Sequence, residues 1–136
     1  MKLLMFNTGE FWYRTYQKTI GSVDTEDREE LVKEALVIFV NVEKDDEQRM
    51  DVVVRKAADN ITWLAKKTGR TAIVLHSFAH LSESKSDIDF ARDLFIQLRE
   101  RLAGKGYAVT MTPFGYLNEF RIHVLGESLA KVWKTI

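Results

Sequence analysis

Two β-branched, apolar runs constrain this chain more than any other feature, because an amphipathic helical stretch follows each of them. Ala35 to Glu43, containing ALVIFV, is apolar enough to be a strand buried on both faces, and Thr71 to Phe78, containing AIVLH, has the same character. Between them Met50, Val53, Val54, Ala57, Ile61, Leu64 and Ala65 recur at helical spacing until Gly69 ends the pattern. Ile88, Ala91, Leu94, Phe95, Leu98 and Leu102 form a second helical stripe, with Ser86 and Asp89 spaced as a capping box, and it stops near Gly104-Lys105-Gly106. Tyr107 to Met111 then returns to strand. Strand, helix, strand, helix, strand is two crossover units, so residues 35–111 are expected to form a parallel βαβαβ core.

The flanks complete a mixed sheet. Lys2 to Phe6 and Glu10 to Tyr16, separated by Asn7-Thr8-Gly9, read as a hairpin, and residues 24–30 (DTEDREE) as an acidic, irregular, solvated stretch. Leu117 to Leu125 alternates, with Phe120, Ile122 and Val124 on one face, and reads as a final strand. The expected class is α/β (α+β), a mixed sheet with helices packed on it, in one domain spanning residues 1–136.

Composition removes several function classes. Cysteine is absent, which excludes disulfides, thiolate nucleophiles and cysteine metal sites. Twenty basic residues balance twenty acidic ones, so the chain lacks the overall basic footprint of a protein held on nucleic acid by phosphate charge. No apolar run approaches the ~20 residues that span a bilayer. MKLLMFNTGEF lacks signal-peptide form, and a soluble, cytoplasmic protein without membrane partners is expected.

The chemistry-bearing candidates lie where strands end. In an open sheet of this kind ligands gather beyond the carboxyl ends of the parallel strands, and Phe78-Ala79-His80 and Pro113-Phe114-Gly115 both occupy such ends. His76 and His80 are four apart, but on an extended strand that is about 13 Å, too far for one ion, so neither a metal nor another cofactor is expected. His76 reads as a satisfied core histidine and His123 as facing a neighbouring strand or water. Glu43 and Lys44 read as a solvated strand-to-helix loop. Phe11-Trp12-Tyr13, with Arg14 and Tyr16, offers rings that could stack on a base, but core packing or a subunit contact is the first reading, and Trp63 and Trp133 also read first as packing. There is no nucleophile elbow around Ser77, Ser82 or Ser84, no dinucleotide fingerprint and no phosphate loop.

Three motifs in order, VNVEK (Val40 to Lys44), FAHLS (Phe78 to Ser82) and PFGY (Pro113 to Tyr116), give the chain a resemblance, over essentially its whole length, to the amino-terminal editing domains of archaeal-type threonyl-tRNA synthetases. The resemblance implies a D-aminoacyl-tRNA deacylase-like fold and removal of L-serine mischarged on threonine tRNA. It implies a pocket lined by Val42, Phe78, Ala79, His80, Phe114, Gly115 and Tyr116. His80 and the Ala79 backbone would act at the reacting end, with water positioned by backbone groups and the RNA's own ribose hydroxyl. It also implies, as partners of this chain, the threonine tRNA 3′ end carrying serine, a second copy in a homodimer, and further synthetase domains or a separate synthetase chain. The sequence departs from the family where an aromatic and a lysine often follow Phe-Gly-Tyr, since Leu117 and Asn118 stand there. Lys131 stands where an acid can occur near the last helix. A D-aminoacyl-tRNA deacylase is the second reading, set back because the Ser-Gln-Phe-Thr and Gly-Pro-x-Thr motifs are missing. A non-catalytic module binding the charged tRNA end is the third.

Overall fold

The structure, a computed structural model, describes residues 1–136. Strands β1 (Lys2–Lys18), β2 (Glu29–Lys33), β3 (Ala35–Asn41), β4 (Ala72–Ser77), β5 (Ala108–Met111), β6 (Tyr116–Val124) and β7 (Lys131–Thr135) accompany helices α1 (Met50–Thr68) and α2 (Ile88–Gly104). β3, β4 and β5 are parallel neighbours joined through α1 and α2, which is the expected βαβαβ core. β1 runs antiparallel to β3, hydrogen bonding follows the path β2-β1-β3-β4-β5, and β6 and β7 also pair antiparallel with β1, along Thr8–Lys18 and Lys2–Phe6 respectively.

The amino-terminal hairpin expected from Asn7-Thr8-Gly9 does not form. Lys2–Lys18 is one continuous strand of 17 residues, and those turn-forming residues make a β-bulge instead, with two residues of β1 opposing one of β6 between Thr8 and Glu10. A bulge shifts the two-residue period by one, so side chains of equal parity exchange faces across it. Leu3 and Met5 accordingly enter the core beneath the helices, whereas Phe11 and Tyr13 enter a second core on the opposite face. Gly9 is needed here because a Cβ would lie 2.7 Å from the His123 ring. Across the ladder Glu34 takes the matching irregular position at φ 51, and its N–H donates to the Gly9 carbonyl at 2.8 Å.

Other expectations are corrected locally. The acidic stretch hands over to β2, whose Glu29–Lys33 pair with Arg14–Glu10, because a long strand leaves a row of backbone groups that the returning chain satisfies. Asp87, not Ser86, caps α2: its carboxylate accepts from the N–H of Asp89 and Phe90. Lys131 opens strand β7 directly after a short 3-10 helix, Ser128–Ala130, whose C-cap it is. Trp63 and Trp133 are 42% and 53% exposed, with Lys134 and Lys2 over their rings, so neither is a core residue.

Helix α1 ends as its glycine predicts, with Gly69 in the left-handed region at φ 70 and the Arg70 N–H donating to Ala65 at 2.9 Å. Its stripe packs with that of α2 on Leu36, Ile38, Val40, Ile73 and Leu75. The opposite sheet face carries Ala35, Val37, Phe39 and Val74 against Phe11 and Tyr13. No helix is long and apolar enough to cross a membrane.

Candidate functional site

The site begins where β3 and β4 leave the sheet. Asn41, fully buried at the end of β3, accepts the N–H groups of Leu81 and Ser82 on its side-chain oxygen, both at 3.1 Å, and donates to the Ser84 carbonyl at 3.1 Å. One asparagine thus anchors the loop that follows β4. Glu43 adds a second anchor: one carboxylate oxygen accepts from the Ser82 hydroxyl at 2.8 Å and the other meets the Met1 ammonium at 2.8 Å. The solvated loop expected at Glu43 is therefore corrected, since its side chain is only 15% exposed and bound on both oxygens. Burial pushes this carboxyl up, but hydrogen bonds from the Met1 ammonium and Ser82 outweigh it and hold the group below its ordinary value.

Between these anchors Phe78 donates its N–H to the Val40 carbonyl at 3.0 Å, after which the N–H groups of Ala79 and His80 find no intramolecular acceptor. Unpaired amides at the end of a parallel strand are ready donors for a carbonyl or developing oxyanion.

The corner between β5 and β6 forms the opposite wall. Gly115 sits at φ 82, and a Cβ there would lie 3.0 Å from Val23 and 3.1 Å from Ile20, so both conformation and space require glycine. Its carbonyl accepts the N–H and hydroxyl of Thr19 at 2.8 and 2.9 Å, which pulls the loop between β1 and β2 over the site. Tyr116 braces that loop: its hydroxyl donates to the Asp24 carbonyl at 2.9 Å and accepts the Glu26 N–H at 2.6 Å. Arg28 fastens the far end, donating to Tyr13 at 2.8 Å and to the Met111 carbonyl at 2.6 Å.

These walls enclose a pocket of about 340 Å³. All seven residues assigned from the family motifs line it: Val42 from the end of β3, Phe78, Ala79 and His80 from the end of β4, and Phe114, Gly115 and Tyr116 from the corner. Sequence reasoning missed the rest of the lining. Thr19 and Ile20 arrive from a loop with no motif, Lys85 from the approach to α2, Ile88 from its first turn, and Leu117, Asn118 and Phe120 from β6. The periodicity of Leu117 to Leu125 placed Phe120 on one strand face but could not say which cavity that face meets.

His76 occupies the floor. It is 5% exposed and its Nδ1 lies 2.9 Å from the Thr112 hydroxyl, as expected of a satisfied core histidine, yet it also lines the pocket. Phe11, Phe39, Phe78 and Phe120 surround the ring, with centroids 4.8 to 6.3 Å away. Burial lowers its pKa to about 4, so the imidazole is neutral at physiological pH. No cluster of three or more His, Asp or Glu side chains is arranged to hold a metal ion.

Residues 1–136 match the family described as the archaea-specific editing domain of threonyl-tRNA synthetase. Threonine-tRNA ligases of Thermofilum pendens, Methanosphaera stadtmanae and Pyrococcus furiosus are each 33% identical to this sequence across 100% of the chain, which spans 22% of their length. Among solved structures, the c-Myc DNA unwinding element binding protein superimposes with a TM-score of 0.67 at 12% identity, covering 100% of this chain and 99% of that one. That likeness concerns the fold, which is D-aminoacyl-tRNA deacylase-like. On the strength of a match that runs from the first residue to the last, the chain belongs to the archaea-specific family of threonyl-tRNA synthetase editing domains.

Proposed function

We propose that residues 1–136 act as one editing unit that hydrolyses the ester joining L-serine to the 3′ terminal adenosine of threonine tRNA and spares L-threonine. The observation that carries this reading is the convergence of the unpaired Ala79 and His80 amides with the Gly115 corner on one pocket of about 340 Å³. Serine differs from threonine by one methyl group, and a single binding site discriminates such a pair by only about 1–3 kcal/mol, so a second, smaller sieve is chemically useful.

In the proposed reaction a water oxygen attacks the ester carbonyl carbon, and the carbonyl oxygen becomes an oxyanion that the Ala79 N–H stabilises. Collapse breaks the bond to the ribose oxygen, which takes a proton, and releases serine and the free hydroxyl of the tRNA end. Backbone groups and the neighbouring ribose hydroxyl orient the water, and His80 contacts the aminoacyl side chain and helps to reject the methyl group. Ala79 beside it keeps the wall tight. The formal charge of +0 supports capture of the tRNA by additional protein, either further synthetase domains or a separate synthetase chain, with pairing of two copies of this chain in the cytoplasm as part of the same reading.

The test is deacylation of threonine tRNA charged with L-serine, beside L-threonine and D-serine controls, at catalytic amounts of the protein. Loss of L-serine alone is the expected result; preferential loss of D-serine would replace this reading with a D-aminoacyl-tRNA deacylase. His80→Ala is expected to narrow the preference for serine over threonine while leaving the unfolding midpoint nearly unchanged. Equal discrimination in mutant and wild type would remove His80 from the sieve.

One observation favours a second reading. Leu117 and Asn118 stand in the pocket wall and contribute neither a cation nor a general base. A module that binds the charged end without turnover would retain affinity for an aminoacyl-adenosine mimic while every ester survives.

A further inference from the structure

His76 and Thr112 are both buried, at 5% and 4% exposure, and each is the other's only side-chain hydrogen-bond partner. Their contact therefore determines which ring nitrogen carries the proton. If Nδ1 donated to Thr112, the threonine hydroxyl hydrogen would be left without an acceptor in a buried position, a loss comparable to a whole hydrogen bond. If the Thr112 hydroxyl donates to Nδ1, both buried groups are satisfied. The proton then resides on Nε2, which has no protein partner and is not sealed from solvent. The ring lines the pocket, so that is where the accessible nitrogen meets a ligand.

We propose that Thr112 holds His76 in the Nε2–H tautomer, making His76 a fixed, uncharged hydrogen-bond donor on the pocket floor that selects an uncharged acceptor atom of the ligand. The proposal rests on the aminoacyl-adenosine reading of the pocket, and such a ligand offers uncharged acceptors in its seryl side-chain oxygen, its aminoacyl carbonyl and its adenosine moiety. An ammonium group has no lone pair to accept this bond, so the floor disfavours the aminoacyl amine and orients the ligand with that group elsewhere. The cage of Phe11, Phe39, Phe78 and Phe120 strengthens the selection, because a donor in apolar surroundings gains more from an acceptor and loses more without one. Burial also keeps the ring neutral, which leaves it one N–H to give and no charge to attract the phosphates of the RNA.

Binding of three non-hydrolysable probes tests the proposal: adenosine carrying serine through a 3′-amide, its alanyl counterpart, and adenosine alone. His76→Phe preserves an aromatic shape inside the cage and removes the donor; about a tenfold loss of affinity for the seryl probe is expected. His76→Gln places an amide nitrogen near the position of Nε2 and is expected to recover most of that loss, which a merely structural role would not produce. Thr112→Val keeps the ring but frees its tautomer, and an intermediate loss is expected. A loss confined to the seryl probe assigns the contact to the aminoacyl hydroxyl, a loss shared by the seryl and alanyl probes alone assigns it to the aminoacyl carbonyl, and an equal loss on all three assigns it to the adenosine moiety. If His76→Phe, folded by its unfolding transition, binds all three probes within twofold of wild type, the donor role is overturned. Should that variant not fold, unchanged binding by Thr112→Val overturns it instead. Failure of the wild-type protein to bind any probe would instead refute the aminoacyl-adenosine reading itself.

Discussion

The two faces of the parallel sheet use the same strands for opposite purposes. Towards the helices, Ile38, Ile73 and Leu75 are sealed under α1 and α2. Towards the pocket, Val74 is followed two residues later on the same face by His76, with its hydroxyl partner Thr112, and the chain then leaves the strand with two free amides. A face closed on every side maximises dispersion and apolar burial, whereas a face that must admit a ligand leaves donors unpaired and aromatic rings half-buried. Stability is concentrated on the first face and recognition on the second, so substitutions on the two should separate in their effects.

The largest expected effect is on the helix side. Leu75→Ala should cost about 2–5 kcal/mol in urea unfolding, because Leu75 is fully buried and the cavity left under two helices closes only partly. A loss below about 1 kcal/mol would mean that the helix face is as yielding as the pocket face.

The second prediction concerns His76 and pH. Its folded pKa of about 4 lies below its ordinary value of 6.5, so the unfolded chain binds a proton that the folded chain refuses. Stability from this group is fully present above pH 6.5 and is lost as pH falls from there towards about 4, with a total near 3 kcal/mol. His76→Gln should flatten the stability profile in that window, and an unchanged profile would show that the ring is hydrated rather than buried.

A somewhat smaller effect is expected at the pocket corner. Gly115→Ala must place a side chain at φ 82 and within about 3 Å of Val23, which should cost about 1–3 kcal/mol and displace the loop carrying Thr19 and Ile20. Ligand affinity should fall with it, because that loop lines the pocket. Affinity retained at full strength would detach the loop from the site.

The smallest effect should come from Glu43. Its pKa is lowered from 4.5 in the folded state, so its contribution is present above the unfolded value and fades as pH falls below that range. Glu43→Gln should remove the acid-side slope while loosening the His80 loop through Ser82, read as faster amide exchange at Leu81 and Ser82. No change in exchange at these amides would leave Asn41 as the sole anchor.

How much of this was legible from residues alone varies by region. The βαβαβ core follows from period and strand character, and its helix-side residues are largely those that the stripes identify, Ile88 excepted, which is half exposed and lines the pocket. The bulge at Gly9 was not legible, because Asn-Thr-Gly serves a hairpin and a bulge equally well and only the strands on either side choose between them. β2 and β7 were hidden because their residues, EELVK and KVWKT, are polar edge sequences that become strands by pairing with β1. The seven assigned pocket residues came from motifs, whereas His76 was readable only as a core residue, since burial and facing a cavity leave the same mark on a sequence.

What the sequence by itself determined is the set of local commitments: where apolar faces repeat, where glycine must take a positive φ, and which small residues follow β4. What only the tertiary structure decided is which of those commitments meet. The pocket is assembled from segments as far apart as Thr19 and Phe120, and the proton on His76 depends on Thr112 in the segment after the next strand. Such relations arise when strands distant in the chain are brought side by side by burying a common core. They are long-range by construction, so no local pattern of residues encodes them alone.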